Sequence, residues 1–335
     1  RRRFHRHSIN RRDANRHGEG GKPMSRWDQF WFTPQRVGTM LWVRFGLSLI
    51  AFWYFASYWS SIEFWFGARG ALSASSIGQF QEVVGGQGIA NYRFSALYLI
   101  ESSLLLKLYL IAGMLLAAFG AIDSLGMLRN ILQRIDQRYA GYLSPVLSVL
   151  LWLWVACLVN RSASLLGGPV DLPLVFGLAY CSLFAGGEHK PAHWRSGLAR
   201  RLMQSHLSLL LFATTAAMAA FSCWWEGNGA GFLAAPTTVR YLDMSGWIAA
   251  IDDGGLPVLF QNAWTLVLFV LPMLSVILHY TGTRFVVANR RLHPGVICIA
   301  LWALTVGLFA SQWMYATCIC VVSMPMLDDV QTDDR

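Results

Sequence analysis

Three ionisable side chains stand inside otherwise apolar stretches of this sequence: Arg44, Glu101 and Lys107. Charge is costly in hydrocarbon, so such residues face a bundle interior or a polar cavity and mark places where protons or ligands are handled. At about 1.5 Å per residue, Arg44 lies roughly 9 Å from one end of its segment, and Lys107 lies near the midplane at a similar depth. Glu101 lies about 8 Å from the opposite membrane face. Glu101 and Lys107 stand about 240° apart around a helix, so they form no ready pair. A lysine desolvated beside a guanidinium gives up its proton more readily and can serve as a neutral base. The plainer reading has Lys107 snorkelling, or bonded to carbonyls and Glu101 through water. His206 and His279 suit hydrogen bonds to a neighbouring helix better than a metal. Asp171 suits capping of its helix's first turn.

The elements that hold these residues are membrane spans. Of 335 residues, 55% are apolar and 13% charged, with a mean hydropathy of +0.42. Soluble domains carry nearer 25% charge, so an ordinary soluble enzyme is excluded. The fold class expected is an all-α polytopic transmembrane helix bundle, with interfacial helices in the outer loops. Spans are placed near 38–60, 96–121, 143–160, 170–186, 203–222, 261–280 and 295–324 by length and apolarity. The last is long enough for a tilted helix, or for one broken between Gly307 and Gln312. The count is therefore seven or eight.

Charge distribution tests the division. The connections 1–37, 122–142, 187–202 and 281–294 carry 20 Lys and Arg, against 5 in 61–95, 161–169, 223–260 and 325–335. By the positive-inside rule this puts the N-terminus in the cytoplasm, and it suits a bacterial inner membrane. The net charge of +9 is spread as a topology signal and forms no nucleic-acid groove. The partner expected is the lipid bilayer, with no nucleic acid.

Residues 1–27 read as a disordered basic arm, with Met24 an alternative start. Residues 28–325 form the transmembrane domain and 326–335 an acidic tail. Loops 61–95 and 223–260 carry Phe64, Trp65, Phe66, Trp224, Trp225 and Trp247, which suit an interfacial belt and a cap over the outer face. Five of six cysteines lie in spans, where they act as small apolar residues. Cys318 and Cys320 point about 200° apart. Metal, phosphate-loop and nucleophile-elbow motifs are absent.

Several segments, in order, resemble one known family. The first span has Phe32-Thr33-Pro34-Gln35 and Trp42-Val43-Arg44-Phe45-Gly46-Leu47; later come Asn160-Arg161-Ser162 with Gly167-Gly168. Then follow Gln204 to Phe221 with Trp224-Trp225-Glu226-Gly227, and Gly307-Leu308-Phe309 in the final run. Over roughly 28–325 this resembles the horizontally transferred transmembrane (HTTM) domain, the membrane part of the vitamin K-dependent gamma-carboxylase superfamily. The resemblance implies a quinone or vitamin K-like ligand and an outer-loop motif at Trp224 and Gly227. It also implies a lysine base just before that motif, where this chain has Ala219 and Ala220, with no Lys or Arg between 202 and 239. The family's Gly-Gly-Asp acid finds its counterpart two positions late, at Asp171.

Two readings follow. In one, the protein binds a quinone-like or lipid ligand in a cavity lined or braced by Arg44, Glu101, Lys107, Asn160 and His206. In the other, it is an enzyme oxidising a quinol with a relocated base, Lys107.

Overall fold

The computed structural model describes residues 25–33, 35–36, 38–73, 76, 95–128, 137–162, 168–185, 192–222, 256–282, 285–287 and 290–330. The N-terminal arm before Ser25 and the motif at Trp224 and Gly227 lie outside the described residues.

The chain is an all-α bundle. A short helix α1 (Arg26–Phe32) leads into α2 (Gly38–Ser57), α3 (Ile62–Phe66), α4 (Ser103–Ser124) and α5 (Gln137–Ser162). Then come α6 (Asp171–Ala185), α7 (Trp194–Ala220), α8 (Leu256–Tyr280), α9 (Pro294–Ala310) and α10 (Trp313–Ser323). Two small antiparallel ribbons complete the described elements: β1 (Gln35–Arg36) pairs with β2 (Ala192–His193), and β3 (Phe285–Val287) with β4 (Arg290–Leu292). Five helices are long and apolar enough to cross a membrane, and three shorter apolar helices stand beside them. The 20 residues of α2 span about 30 Å, the thickness of a bilayer's hydrocarbon core. The molecule is an integral membrane protein on these grounds.

Helix α2 packs against α4, α6 and α10. Small residues make this close packing feasible, as is usual where helices meet without water. A Cβ on Gly113 would stand 2.8 Å from the Phe55 ring, one on Gly177 2.8 Å from Leu47, and one on Gly46 2.8 Å from Val321. The opposite faces, with Trp42, Phe52, Leu104, Leu153 and Leu301, are exposed and apolar, as a lipid-facing surface must be.

The structure revises three expected boundaries. The second span starts at Ser103, not near 96, because residues 96–99 form a separate 3₁₀ turn. The fifth begins at Trp194, ahead of the expected 203. The final run is two helices: Ser311 takes a left-handed backbone (φ 54°) and, with Gln312, separates α9 from α10. This break gives eight apolar helices. Arg200 Nε and Gln204 Nε2, near the start of α7, each donate to the Pro325 carbonyl at 2.9 Å. The chain past α10 therefore returns to the end of the bundle that carries Arg36, Arg195, Arg200 and Arg201, here called the basic end.

Candidate functional site

At the basic end a buried polar cluster ties three helices together. Arg44 on α2 is 2% exposed, and its Nη2 lies 2.6 Å from Asp123 Oδ2 on α4. Ser144 on α5 donates to the same carboxylate oxygen at 2.7 Å and accepts from Arg44 Nη1. Arg44 Nη2 also reaches the Ser144 carbonyl at 3.3 Å. A buried guanidinium and carboxylate paired in this way brace the helices that carry them.

The other charged positions are arranged differently from the depths read in the sequence. With α4 starting at Ser103, Lys107 sits little more than one turn from the helix's start. Its side chain is 42% exposed and its Nζ lies 3.4 Å from Glu63 on α3. The amine therefore lies toward the end of α4 and away from the midplane, and its charge is matched by Glu63. Glu101 is exposed and precedes the helix. Asn160 is half-buried in the last turn of α5. His206 on α7 stacks on Phe176 at 4.1 Å, and its Nδ1 lies 2.9 Å from the Tyr180 hydroxyl on α6. His279 Nδ1 meets His293 Nε2 at 3.1 Å, while His293 Nδ1 accepts the Gly295 N–H. That acceptor role leaves a neutral His293 with its proton on Nε2, donated to His279.

Beside Asn160, Arg161 holds the end of the bundle opposite the basic end. Its side chain is fully buried. Nη2 donates to the carbonyls of Phe66 at 3.0 Å and Leu72 at 3.1 Å, and Nη1 to those of Leu97 and Ile100. The Phe66 and Tyr98 rings lie against the guanidinium at 5.0 and 5.6 Å. One side chain thus fixes the end of α3 and the stretch just before α4, the two ends of the connection between them.

Next to this clamp, a cleft of about 320 Å³ opens where α2 ends, α6 begins and α10 follows the break after α9. Tyr54, Tyr58, Ser61, Asp171, Gln312 and Tyr315 supply its polar lining. Asp171 is 7% exposed: Oδ1 accepts the Tyr54 hydroxyl at 2.8 Å and Oδ2 accepts the Gly168 N–H at 2.9 Å. The backbone donor is thus one ahead of α6, not one in its first turn as the capping expectation had it. The Tyr54 and Tyr58 rings stand 5.5 Å apart at 71°, making a corner of aromatic faces. A concave site with a few convergent polar groups and aromatic walls is what small-molecule recognition requires, and its volume falls in the ordinary range.

None of Arg44, Glu101, Lys107, Asn160 and His206 lines this cleft. The tyrosines that do were indistinguishable in sequence from an interfacial belt. In the sequence, Asp123 lies just beyond a span ending at 121, and Arg161 reads as a charge of the connection 161–169. Among the described residues no group of three or more His, Cys, Asp or Glu could hold a metal ion.

The fold and the cleft together define a polytopic helical membrane protein with a polar, aromatic-walled recess at one end. No family model, curated protein or solved structure matches the chain.

Proposed function

We propose that this is a membrane protein of the HTTM type that binds a hydrophobic molecule, quinone-like or lipid, by holding its polar end in the cleft between α2, α6 and α10. The observation that carries the reading is the Asp171 carboxylate, buried yet lining an open recess among tyrosine hydroxyls. The ordered motifs from Phe32 to Phe309 support the family. The excess of Lys and Arg in alternate connections supports a cytoplasmic N-terminus, and the uninterrupted spans suit a bacterial inner membrane.

The chemistry favours binding over quinol oxidation. The family's base position is occupied by Ala219 and Ala220, which are exposed at the end of α7. Deprotonating a quinol needs a neutral amine in a dry site, and Lys107 is half-exposed and paired with Glu63.

The test uses the full chain in nanodiscs. A photoreactive quinone analogue and radiolabelled lipids are titrated, and vitamin K hydroquinone with oxygen and bicarbonate is followed for epoxide. Saturable labelling that falls at least tenfold in Ser61→Trp, which fills the recess, with no epoxide, is the expected result. Ser61 caps α3 without a side-chain bond, and far-UV circular dichroism of the variant checks that the fold is kept. Epoxide formation lost in Lys107→Ala would overturn the reading in favour of an enzyme. Absence of saturable binding by folded protein would overturn it altogether.

A further inference from the structure

We propose that the group recognised in this cleft is an organic ammonium ion, a primary or quaternary amine carried by a lipid head or present as a free solute. This rests on the cleft being a ligand site and names the chemistry that it selects.

The two buried carboxylates among the described residues are treated in opposite ways. Asp123 is neutralised by Arg44 at 2.6 Å. Asp171 receives only neutral donors, the Tyr54 hydroxyl and the Gly168 N–H, and no cationic side chain pairs with it among the described residues. A carboxylate held out of water without a counter-charge is compensated when a cation is brought against it. Its position at the start of α6 helps hold the negative charge in place.

The walls suit the same partner. Tyr54, Tyr58 and Tyr315 line the cleft, and tyrosine faces within about 6 Å attract quaternary ammonium groups, most strongly when desolvated. The Tyr54 and Tyr58 rings, 5.5 Å apart at 71°, stand side by side in this wall. A quinone head fits less well. Its carbonyl oxygens would meet the carboxylate's lone pairs, and the Tyr54 hydroxyl is already donated to Asp171. The exposed Trp59 and Trp313 flank this end of the bundle, at the level where indoles mark the headgroup layer. A lipid head can enter from the leaflet at that depth, and a solute from the water above it.

The experiment uses the whole protein in nanodiscs of phosphatidylglycerol, which carries no amine. Choline and tetramethylammonium are titrated against 3,3-dimethylbutan-1-ol, the uncharged isostere of choline, with thermal stabilisation as readout. In parallel, discs are doped with phosphatidylcholine or phosphatidylethanolamine, and lipid retained on the protein is measured by native mass spectrometry. The cation should bind at least tenfold more tightly than the isostere, and Asp171→Asn should erase that preference. Retained amine lipid without an effect of free choline assigns the lipid source, and the converse assigns the solute; either supports the inference. Measurable binding of choline and its isostere with equal affinity overturns it, and this comparison needs no variant. Binding of a quinone or an uncharged lipid that Ser61→Trp blocks, with no response to any amine, sinks the inference while the ligand-site reading stands. No binding of any probe sinks both.

Discussion

Arg44 Nη2 lies 2.6 Å from Asp123 Oδ2, although 79 positions separate the two residues. The pair, with Ser144 bridging it, locks α2, α4 and α5 at the basic end. Because α2 is also the wall that presents Tyr54 to the cleft, this contact sets the position of the opposite end as well. Removing one member leaves a buried charge without its partner, which costs about 3–5 kcal/mol. Arg44→Met and Asp123→Leu should each lower stability by about that amount, and the double substitution by distinctly less. Unfolding in detergent, monitored by far-UV circular dichroism, checks this; a loss in the double equal to the sum of the singles would show that the charges do not act as a unit.

Arg161 should not tolerate Lys. Its planar fork reaches carbonyls of Phe66, Leu72, Leu97 and Ile100, and an ammonium has three donors in a compact cluster. Losing one or two charge-assisted bonds in Arg161→Lys should cost about 2–4 kcal/mol and loosen the ends of the connection between α3 and α4. Limited proteolysis between residues 61 and 103 should then run faster than in the parent protein, while cleavage elsewhere is unchanged. Unaltered proteolysis there would mean that the loop ends are held by packing alone.

Gly113 tests the packing around α2. A Cβ there meets the Phe55 ring at 2.8 Å, and Phe55 is fully buried. Gly113→Val should therefore destabilise by about 1–3 kcal/mol through overpacking. Adding Phe55→Leu should recover part of the loss, because the smaller side chain vacates the colliding volume. Thermal denaturation of the three variants in the same detergent gives the comparison.

Hydropathy made the bundle legible because membrane helices must satisfy their backbone internally and show apolar faces to lipid. It placed the start of α4 wrongly for a local reason. Leu97 to Ile100 is apolar, yet Arg161 takes the Leu97 and Ile100 carbonyls and so draws that stretch away from the helix. The depth assigned to Lys107 failed with it. The cleft was illegible for another reason. Tyr54 and Asp171 are 117 positions apart, and in sequence each has an adequate local explanation, one as an interfacial aromatic and the other as a helix cap. Only the packing of α6 against α2 brings them together.

The break at Ser311 decides the side on which the chain ends its last helix. Helix α10 runs antiparallel to α2: Tyr315 shares the cleft with Tyr54, and Val321 packs on Gly46. Pro325 then meets Arg200 and Gln204 at the basic end. Reporter domains fused before Arg1 and after Arg335 should consequently lie on the same side of the membrane. A reporter fused directly after Ser311 should lie on the opposite side, with only α9 crossed. Fluorescent and alkaline phosphatase fusions read sidedness with opposite sign, so each position is scored twice. Termini on opposite sides would mean that α9 and α10 make one crossing between them, and that the cleft wall formed by Tyr315 is set by a re-entrant segment.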